Sequence, residues 1–487
     1  MAEETRTSRV AVVGGGISGL SAAYRVLELS RQNNMPVELT LLESSDRVGG
    51  VIQTIQQDGF LIEAGPDSFV SNKPAGLGLC ERLGLAGQLL TTRQTHRRGL
   101  VARRDRLFPI PNGYRLLAPS RMGPIWRSPI FSLRGKLRMA AESWMKPRKA
   151  SLGDESLRSF VTRRFGREAL DRLAQPLVCG IYTADPDKLS LRATLPQFLE
   201  MESRHGSVLK ALGKKTDDKH KDDASPGEGD AGARYSLFVT FKGGMSVLPQ
   251  TLLEKIGPER VRFRAPVARV ERAADGSGAW DVILLNNDVL HADALILACP
   301  THRTVGLIQP IDPKLAIQLA EISYASSAVL HFAFRREQIE HPLDAFGFVV
   351  PFAEQRYLMA CSFSSVKFEG RAPDEWVLLR AFLGGALQEE LLQRSDDGLI
   401  AAARWDLEML LGLMGPQRFV TVHRWVKAMP QYHVGHLERV EAIRQAVAEH
   451  PRLRLASNAL AGVGIPDCIA EGERAAEQIM AALWRRK

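Results

Sequence analysis

Apolar and polar positions follow several different rhythms along this chain, and each rhythm predicts an element. Arg9–Val13 is a short, β-branched apolar run, the pattern of a strand buried on both faces. Leu20 to about Leu29 repeats at helical spacing, and Val37–Leu42 is a second apolar strand that ends at Glu43. Pro74–Leu90 reads as helix, followed by Leu100–Val101, a basic turn and Leu107–Pro111. Helical spacing returns in Ser156–Phe165, Glu168–Leu173 and Leu195–Leu212. Residues 213–233 hold no apolar side chain larger than alanine and predict a disordered, charged surface loop.

Beyond that loop the chain turns mainly to strands. Phe238–Phe241 leads to Gly243-Gly244-Met245 and a helix over Val247–Lys255. Val261–Val270, Trp280–Leu285 and Val289–Cys299 read as a hairpin region, with an Asp275-Gly276 turn. Ala328–Phe334, Phe346–Val350, Tyr357–Phe363 and Trp376–Leu383 predict a separate sheet. Ser395–Met414 is helical, and Phe419–Trp425 is a strand. Leu453–Asn458, a glycine-bearing turn and a helix to Trp484 follow, with Pro466 suited to a first helical position. The fold class is α/β, with α+β mixing in the later part.

Between the first strand and the first helix lies Gly14-Gly15-Gly16-Ile17-Ser18-Gly19, a G-x-G-x-x-G in its required context of strand, helix, strand and acid. Gly14 allows the tight turn, and Gly16 lets a pyrophosphate approach without a Cβ in the way. Gly19 lets helix and strand pack closely, while the helix N-terminus offers free N–H groups and a positive dipole end. Glu43 can accept hydrogen bonds from ribose hydroxyls and disfavours a 2′-phosphate, so the ligand is of NAD or FAD type.

Charge adds a second feature. The net charge is +9, and much of it falls between Arg93 and Lys149, including Arg97, Arg98, Arg103, Arg104 and Arg106. That density predicts an anionic partner, either phospholipid headgroups or a polycarboxylate substrate; no nucleic-acid motif accompanies it. Between Pro109 and Pro147, arginines and lysines alternate with Ile125, Trp126, Ile130, Phe131, Leu133, Leu137, Met139, Trp144 and Met145. This mixture suits a helical element lying in a membrane interface, or an ordinary helical subdomain with a solvated basic face.

Five cysteines (Cys80, Cys179, Cys299, Cys361, Cys468) show neither CxxC spacing nor an even framework, and read as reduced thiols with no metal site. The residues before Arg9 hold no signal or transit peptide, and no run of eighteen apolar residues occurs. No Ser-His-Asp, HExxH or paired-carboxylate pattern appears, and the isolated His331, His423, His433 and His436 read as structural or surface residues.

Glu43-Ser44, Arg47 and Gly49-Gly50-Val51, with Gly65-Pro66-Asp67-Ser68 close behind, resemble the FAD signature of the amine oxidase and protoporphyrinogen oxidase superfamily. PLVCGIYTADPDKLSLRA, FKGGMSVLP, FSSVKFEGRAP and AGVGIPDCIAEG then extend a resemblance to flavin-dependent protoporphyrinogen oxidases over nearly the whole chain. The resemblance implies a Rossmann-like FAD domain of glutathione-reductase/p-hydroxybenzoate-hydroxylase type (1–92, 234–300 and 440–487). It further implies a mixed-sheet substrate domain (93–110 and 301–439) and a helical membrane-binding domain (111–212).

It also implies oxidation of protoporphyrinogen IX to protoporphyrin IX, a six-electron step in which three O₂ become three H₂O₂. FAD would be held by Gly14–Gly19, Glu43, Ser44, Arg47, Gly49, Gly50, Val51, Gly65, Pro66, Asp67, Ser68, Val267, Trp425, Val463, Gly464 and Ile465. The turn carrying Val463–Ile465 would stabilise negative charge on the reduced ring from a helix N-terminus. Arg98, or else Arg97, would pair with a propionate. Gly180 would lie against the macrocycle, where its carbonyl takes a pyrrole proton, and Val349 and Phe382 would sandwich a pyrrole ring. Where many relatives carry leucine near the second wall, this chain has Ser362.

Placement on the inner face of the cell membrane in the cytoplasm follows from the same likeness, which leaves room for a homodimer and for hand-over of product to a ferrochelatase. Three alternatives stay open: coproporphyrinogen III as substrate, an amine oxidase, and a lipid-binding protein of the GDP-dissociation-inhibitor type.

Overall fold

A computed structural model describes residues 7–148, 153–214 and 237–484. The predicted disordered segment lies outside the described residues from 215 onward. The elements that build the site are, in chain order, β1 (Ser8–Val13), α1 (Ile17–Gln32), β2 (Val37–Leu42), β3 (Leu100–Arg103), β4 (Arg106–Pro109), α2 (Gln175–Tyr182), β5 (Val261–Arg262) and β6 (Ala294–Leu297). They continue with β7 (Tyr324–Arg335), β8 (Gly347–Val349), β9 (Leu358–Phe363), β10 (Trp376–Gly384), β11 (Phe419–Pro430), β12 (Leu453–Leu455) and α3 (Ile465–Trp484).

The first sheet is parallel and five-stranded, in the order β5-β2-β1-β6-β12. Alternate residues of β1 enter two different cores, which is why the strand reads as a continuous apolar run. Val10 and Val12 pack with Leu20, Val26 and α3 residues such as Ile469 and Ile479. Ala11 and Val13 pack on the other face with Trp280, Val282 and Leu297. That second face is covered by a three-stranded antiparallel meander of Val267–Arg272, Trp280–Leu284 and Val289–Ala292. The predicted hairpin region is therefore divided. Val261–Arg262 and Ala294–Leu297 leave it to pair in parallel with β2 and β1, and Arg264, at φ 51°, breaks the run between them.

The predicted separate sheet has seven strands, β11-β7-β10-β9-β8-β3-β4. One face is closed by the helix Asp396–Leu411, whose Leu399, Ala403 and Leu407 pack with Leu330, Phe332 and Phe334. The helix starts at Ser395, whose hydroxyl accepts from Gly398 N at 3.2 Å. The opposite face carries the site.

A third core joins helices between Met122 and His205. Here the expected interfacial stretch splits in two. Ile125, Ile130, Phe131 and Met139 are buried in this core, whereas Trp144 is 83 % and Leu133 67 % exposed. Among the described residues no helix is long and apolar enough to cross a membrane, and no His/Cys/Asp/Glu group could hold a metal ion.

Candidate functional site

The glycine motif at the end of β1 is shaped by backbone contacts. Gly14 has φ 111°, and a Cβ on it would lie 2.7 Å from the Ala298 carbonyl oxygen. A Cβ on Gly19 would lie 1.9 Å from the Gly14 carbonyl oxygen. Gly16 differs: no atom lies within 4 Å of where its Cβ would stand. It is also the N-cap of α1 and has no side-chain cap, so the first N–H groups face open space. Ile17 and Ser18 are buried in the first turn. Ser18 abuts Gly472 of α3, where a Cβ would meet the Ser18 carbonyl oxygen at 2.2 Å.

Glu43 Oε2 accepts from Gly15 N at 2.7 Å, and Oε1 accepts from Ser45 N at 2.8 Å and from Ser44 Oγ at 3.2 Å. Gly49 N donates to the Gly15 carbonyl at 2.8 Å, and Gly16 and Gly49 form a parallel bridge. The two glycine motifs thus lock together. Gly50 has φ 58°. Arg47 folds over its own loop, donating to the carbonyls of Gly50 (2.7 Å), Ile52 (3.2 Å) and Val48 (3.3 Å). Ala265 N donates to the Glu43 carbonyl at 2.9 Å, which carries Val267 to the same end of the cradle.

Gly65 sits against the exposed residue Val51, whose carbonyl oxygen would be 1.7 Å from a Cβ on Gly65. From there the seven-stranded sheet grips the turn. Trp425 Nε1 donates to the Ala64 carbonyl at 2.7 Å, and Arg380 donates to the Gly65 carbonyl. Lys367 Nζ lies 2.9 Å and Arg380 Nη1 3.5 Å from the Asp67 carboxylate, and Ser68 Oγ donates to it at 2.7 Å. Pro66 is half-buried between them. Asp67, Ser68 and Trp425, expected at the cofactor, spend their polar atoms on shaping this turn. Burial pushes the Asp67 carboxyl upward, but Lys367 and Arg380 outweigh it and hold it well below the usual carboxylate range.

At the other end of the chain Gly462 has φ 156°, and Val463, Gly464 and Ile465 lead into α3. Asp467 in its first turn pairs with Lys73 at 2.6 Å. Val463 packs on the same helical core as Val349.

Strand register places the expected substrate residues. Phe108, Val101, Val349, Ala360, Phe382, Val329 and His423 form one row across the sheet. Val349 and Phe382 therefore rise from one face with Ala360 between them, about 10 Å apart, and are not on opposing layers. All three are half-buried. Ser362 lies in the next row, beside Arg380 and His331, and its hydroxyl donates to the Phe346 carbonyl at 3.3 Å. Burial holds the His331 imidazole well below its usual range, so it is neutral.

Gly180 is exposed at the end of α2, in a cleft open to solvent, with Gln175, Thr183, Met359 and Gly384. Arg98 is not free: its guanidinium pairs with Asp344 and donates to that residue's carbonyl at 2.8 Å. Arg97 donates to the carbonyls of Arg93 (2.9 Å) and Thr92 (3.2 Å).

Two groups were not anticipated as site residues. Lys367 and Arg380 are the cations of the turn, and Glu63 is a buried acid beneath it. Glu63 accepts from Met245 N and Thr54 Oγ1, both at 2.8 Å, and burial pushes its carboxyl up to about 7. The folded protein therefore holds a proton that the unfolded chain releases near pH 4.5, so this site's stability is full below that and is lost as pH rises through about 7. Glu63→Gln is expected to flatten the decline in Tm between mildly acidic and mildly alkaline pH, gaining up to about 3 kcal/mol at the alkaline end. A wild-type slope retained in the variant would assign the decline to another group.

The open space at Gly16, the uncapped helix and the interlocked Gly49-Gly50 turn fit a dinucleotide whose pyrophosphate lies across the start of α1. The fold and cradle define a flavin-dependent oxidoreductase, with FAD as its cofactor. The chain belongs to the flavin-containing amine oxidoreductase family, whose model matches residues 17–480. It is 33 % identical to the coproporphyrinogen III oxidase of Bacillus subtilis (strain 168) over 477 residues, covering 98 % of each chain. It is 28 % identical to protoporphyrinogen oxidase 2 of Arabidopsis thaliana, covering 99 % of this chain and 95 % of that one. Among solved structures, a protein assigned as a protoporphyrinogen oxidase from Exiguobacterium sp. 255-15 matches with TM-score 0.85 and 28 % identity, over 98 % and 99 % of the two chains.

Proposed function

We propose that this chain oxidises a porphyrinogen to the corresponding porphyrin, using O₂ as the final acceptor. The observation that carries the reading is the row Val349–Ala360–Phe382. A small residue flanked by two larger apolar ones leaves a slot for a flat ring, on the sheet face that grips the cofactor turn. When bound, FAD supplies the hydride acceptor and passes electrons to O₂. Val349 and Phe382 hold the macrocycle and exclude water from its faces, while the Gly180 carbonyl orients a pyrrole N–H by accepting its hydrogen bond, the proton passing to solvent at the open cleft. Arg98 anchors a propionate by giving up its pairing with Asp344. No nucleophile is required, since the bond that breaks is C–H.

Protoporphyrinogen IX is the substrate that the sequence reading proposes. A second reading, coproporphyrinogen III, is favoured by the name of the B. subtilis relative. Anaerobic mixing of the yellow holoenzyme with each porphyrinogen separates them by the rate of flavin bleaching. Bleaching by protoporphyrinogen IX alone supports the first, and bleaching chiefly by coproporphyrinogen III transfers the assignment to the second. Bleaching by neither overturns both. Phe382→Ala is expected to raise KM about tenfold for the true substrate, matching the loss of a well-packed aromatic contact, with FAD content unchanged. An unchanged KM would remove Phe382 from the slot.

A further inference from the structure

Five ionisable side chains converge where the seven-stranded sheet meets the 63–68 segment. Lys367, Arg371 and Arg380 are the cations, and Glu63 and Asp67 the carboxylates. All are largely buried: the Lys367, Arg380 and Asp67 side chains are 13 %, 7 % and 14 % exposed, and Arg371 and Glu63 2 % and 4 %. Three cations face two acids, and Glu63 carries only part of a charge near neutrality. Arg371 donates to Thr240 Oγ1 (3.1 Å) and the Phe241 carbonyl (3.0 Å), both neutral acceptors on the strand beneath the turn. Lys367 and Arg380 share a single carboxylate, Asp67. A buried surplus of positive charge is costly unless something negative offsets it.

The surplus lies next to the cofactor cradle along an unbroken set of contacts. Gly16 bridges to Gly49, Val51 follows that turn and abuts Gly65, and Gly65 receives the Arg380 guanidinium. Arg380 also lies over the Phe382 ring, 4.6 Å from its centroid. Reduction places negative charge on a bound flavin, and a nearby cation in a water-poor site lowers the energy of the reduced state. We propose that Lys367 and Arg380 are positioning residues for the flavin: through Asp67 and the Gly65 carbonyl they fix the 65–68 turn against the cradle, and their surplus charge favours the reduced cofactor. This goes beyond the porphyrinogen assignment and does not depend on it.

The test uses the FAD-loaded protein without substrate, equilibrated with a reference dye while it is slowly reduced. Lys367→Met is expected to retain FAD but to lower the reduced-to-oxidised ratio at a given poise about tenfold, equivalent to about 30 mV for a two-electron couple. Lys367→Arg is expected to restore the ratio. Asp67→Asn, which leaves both cations without their acid, is expected to shift it the opposite way from Lys367→Met. A purely mechanical lock would move Lys367→Met and Asp67→Asn in the same direction or release FAD from both. Either result, or an unchanged ratio in Lys367→Met, overturns the proposal.

Discussion

Gly16→Val is expected to give a folded but colourless protein, while Gly19→Ala is expected to damage the fold itself. The two glycines sit three residues apart, yet their surroundings are opposite. Gly16 has φ −72° and ψ 176°, a conformation any residue adopts, and its Cβ direction is empty to 4 Å. The Cβ of a valine there meets no protein atom within 4 Å, so the cost to stability is confined to the poorer N-cap, about 1 kcal/mol. Its branched side chain does, however, fill the space in front of the uncapped helix, where a pyrophosphate must approach the backbone. A Cβ on Gly19 would lie 1.9 Å from the Gly14 carbonyl oxygen and 3.1 Å from the Ala298 side chain. Neither is the free end of a flexible side chain, so α1 must move away from β1 and β6, at a cost of at least about 1–3 kcal/mol. Visible flavin absorbance and Tm, measured on both purified variants, separate the effects. A yellow Gly16→Val would remove the pyrophosphate from this position, and an unchanged Tm in Gly19→Ala would show that the contact relaxes freely.

The largest loss of stability is expected from Glu142→Ala in the helical core. Glu142 and Arg164 are both fully buried and paired. The same carboxylate accepts from Ser207 Oγ at 2.5 Å, Val208 N at 2.9 Å and Leu209 N at 3.3 Å, satisfying the start of the helical turn from 208. Glu202, 3.4 Å from the Arg164 guanidinium, is a second partner but is shared with Arg163. Removing Glu142 leaves a guanidinium and two backbone donors in a dry site, a loss of about 3–5 kcal/mol. Urea unfolding measures it. Pairing Glu142→Leu with Arg164→Met is expected to recover much of the loss, because the uncompensated charge goes with its partner. If the double variant were no more stable than Glu142→Ala, the helix start rather than the ion pair would carry the energy.

What the sequence makes readable here is local. β1, the glycine motif, α1, β2 and Glu43 are contiguous, and each is specified by its own pattern. The parallel partners of this unit carry no such local mark, since no turn announces that Val261 joins β2 or that Ala294–Leu297 joins β1. Periodicity also cannot tell an apolar residue bound for a membrane from one bound for a core. Ile125 and Phe131 pack inward while Trp144, in the same stretch, is exposed. Likewise Arg98 looks like an available cation until the fold brings Asp344 to it from a distant loop. One signal could have been used. Arg380 stands in the middle of the apolar run WVLLRAFLG, and an arginine in a central strand implies a buried partner. The sequence does not reveal that the partner is Asp67.

The sheet that carries the glycine motif is completed by β12, and the layer begun by α1 is completed by α3. These partners come from opposite ends of the chain. At about 5–20 residues per second, the first βαβ unit leaves the ribosome on the order of tens of seconds before α3 exists to cover the apolar face of α1. During that interval Leu20 and Val26 lack the helix they will pack against. Cofactor capture therefore belongs after synthesis, and the nascent amino-terminal unit is the part of this protein that most needs shielding by a chaperone.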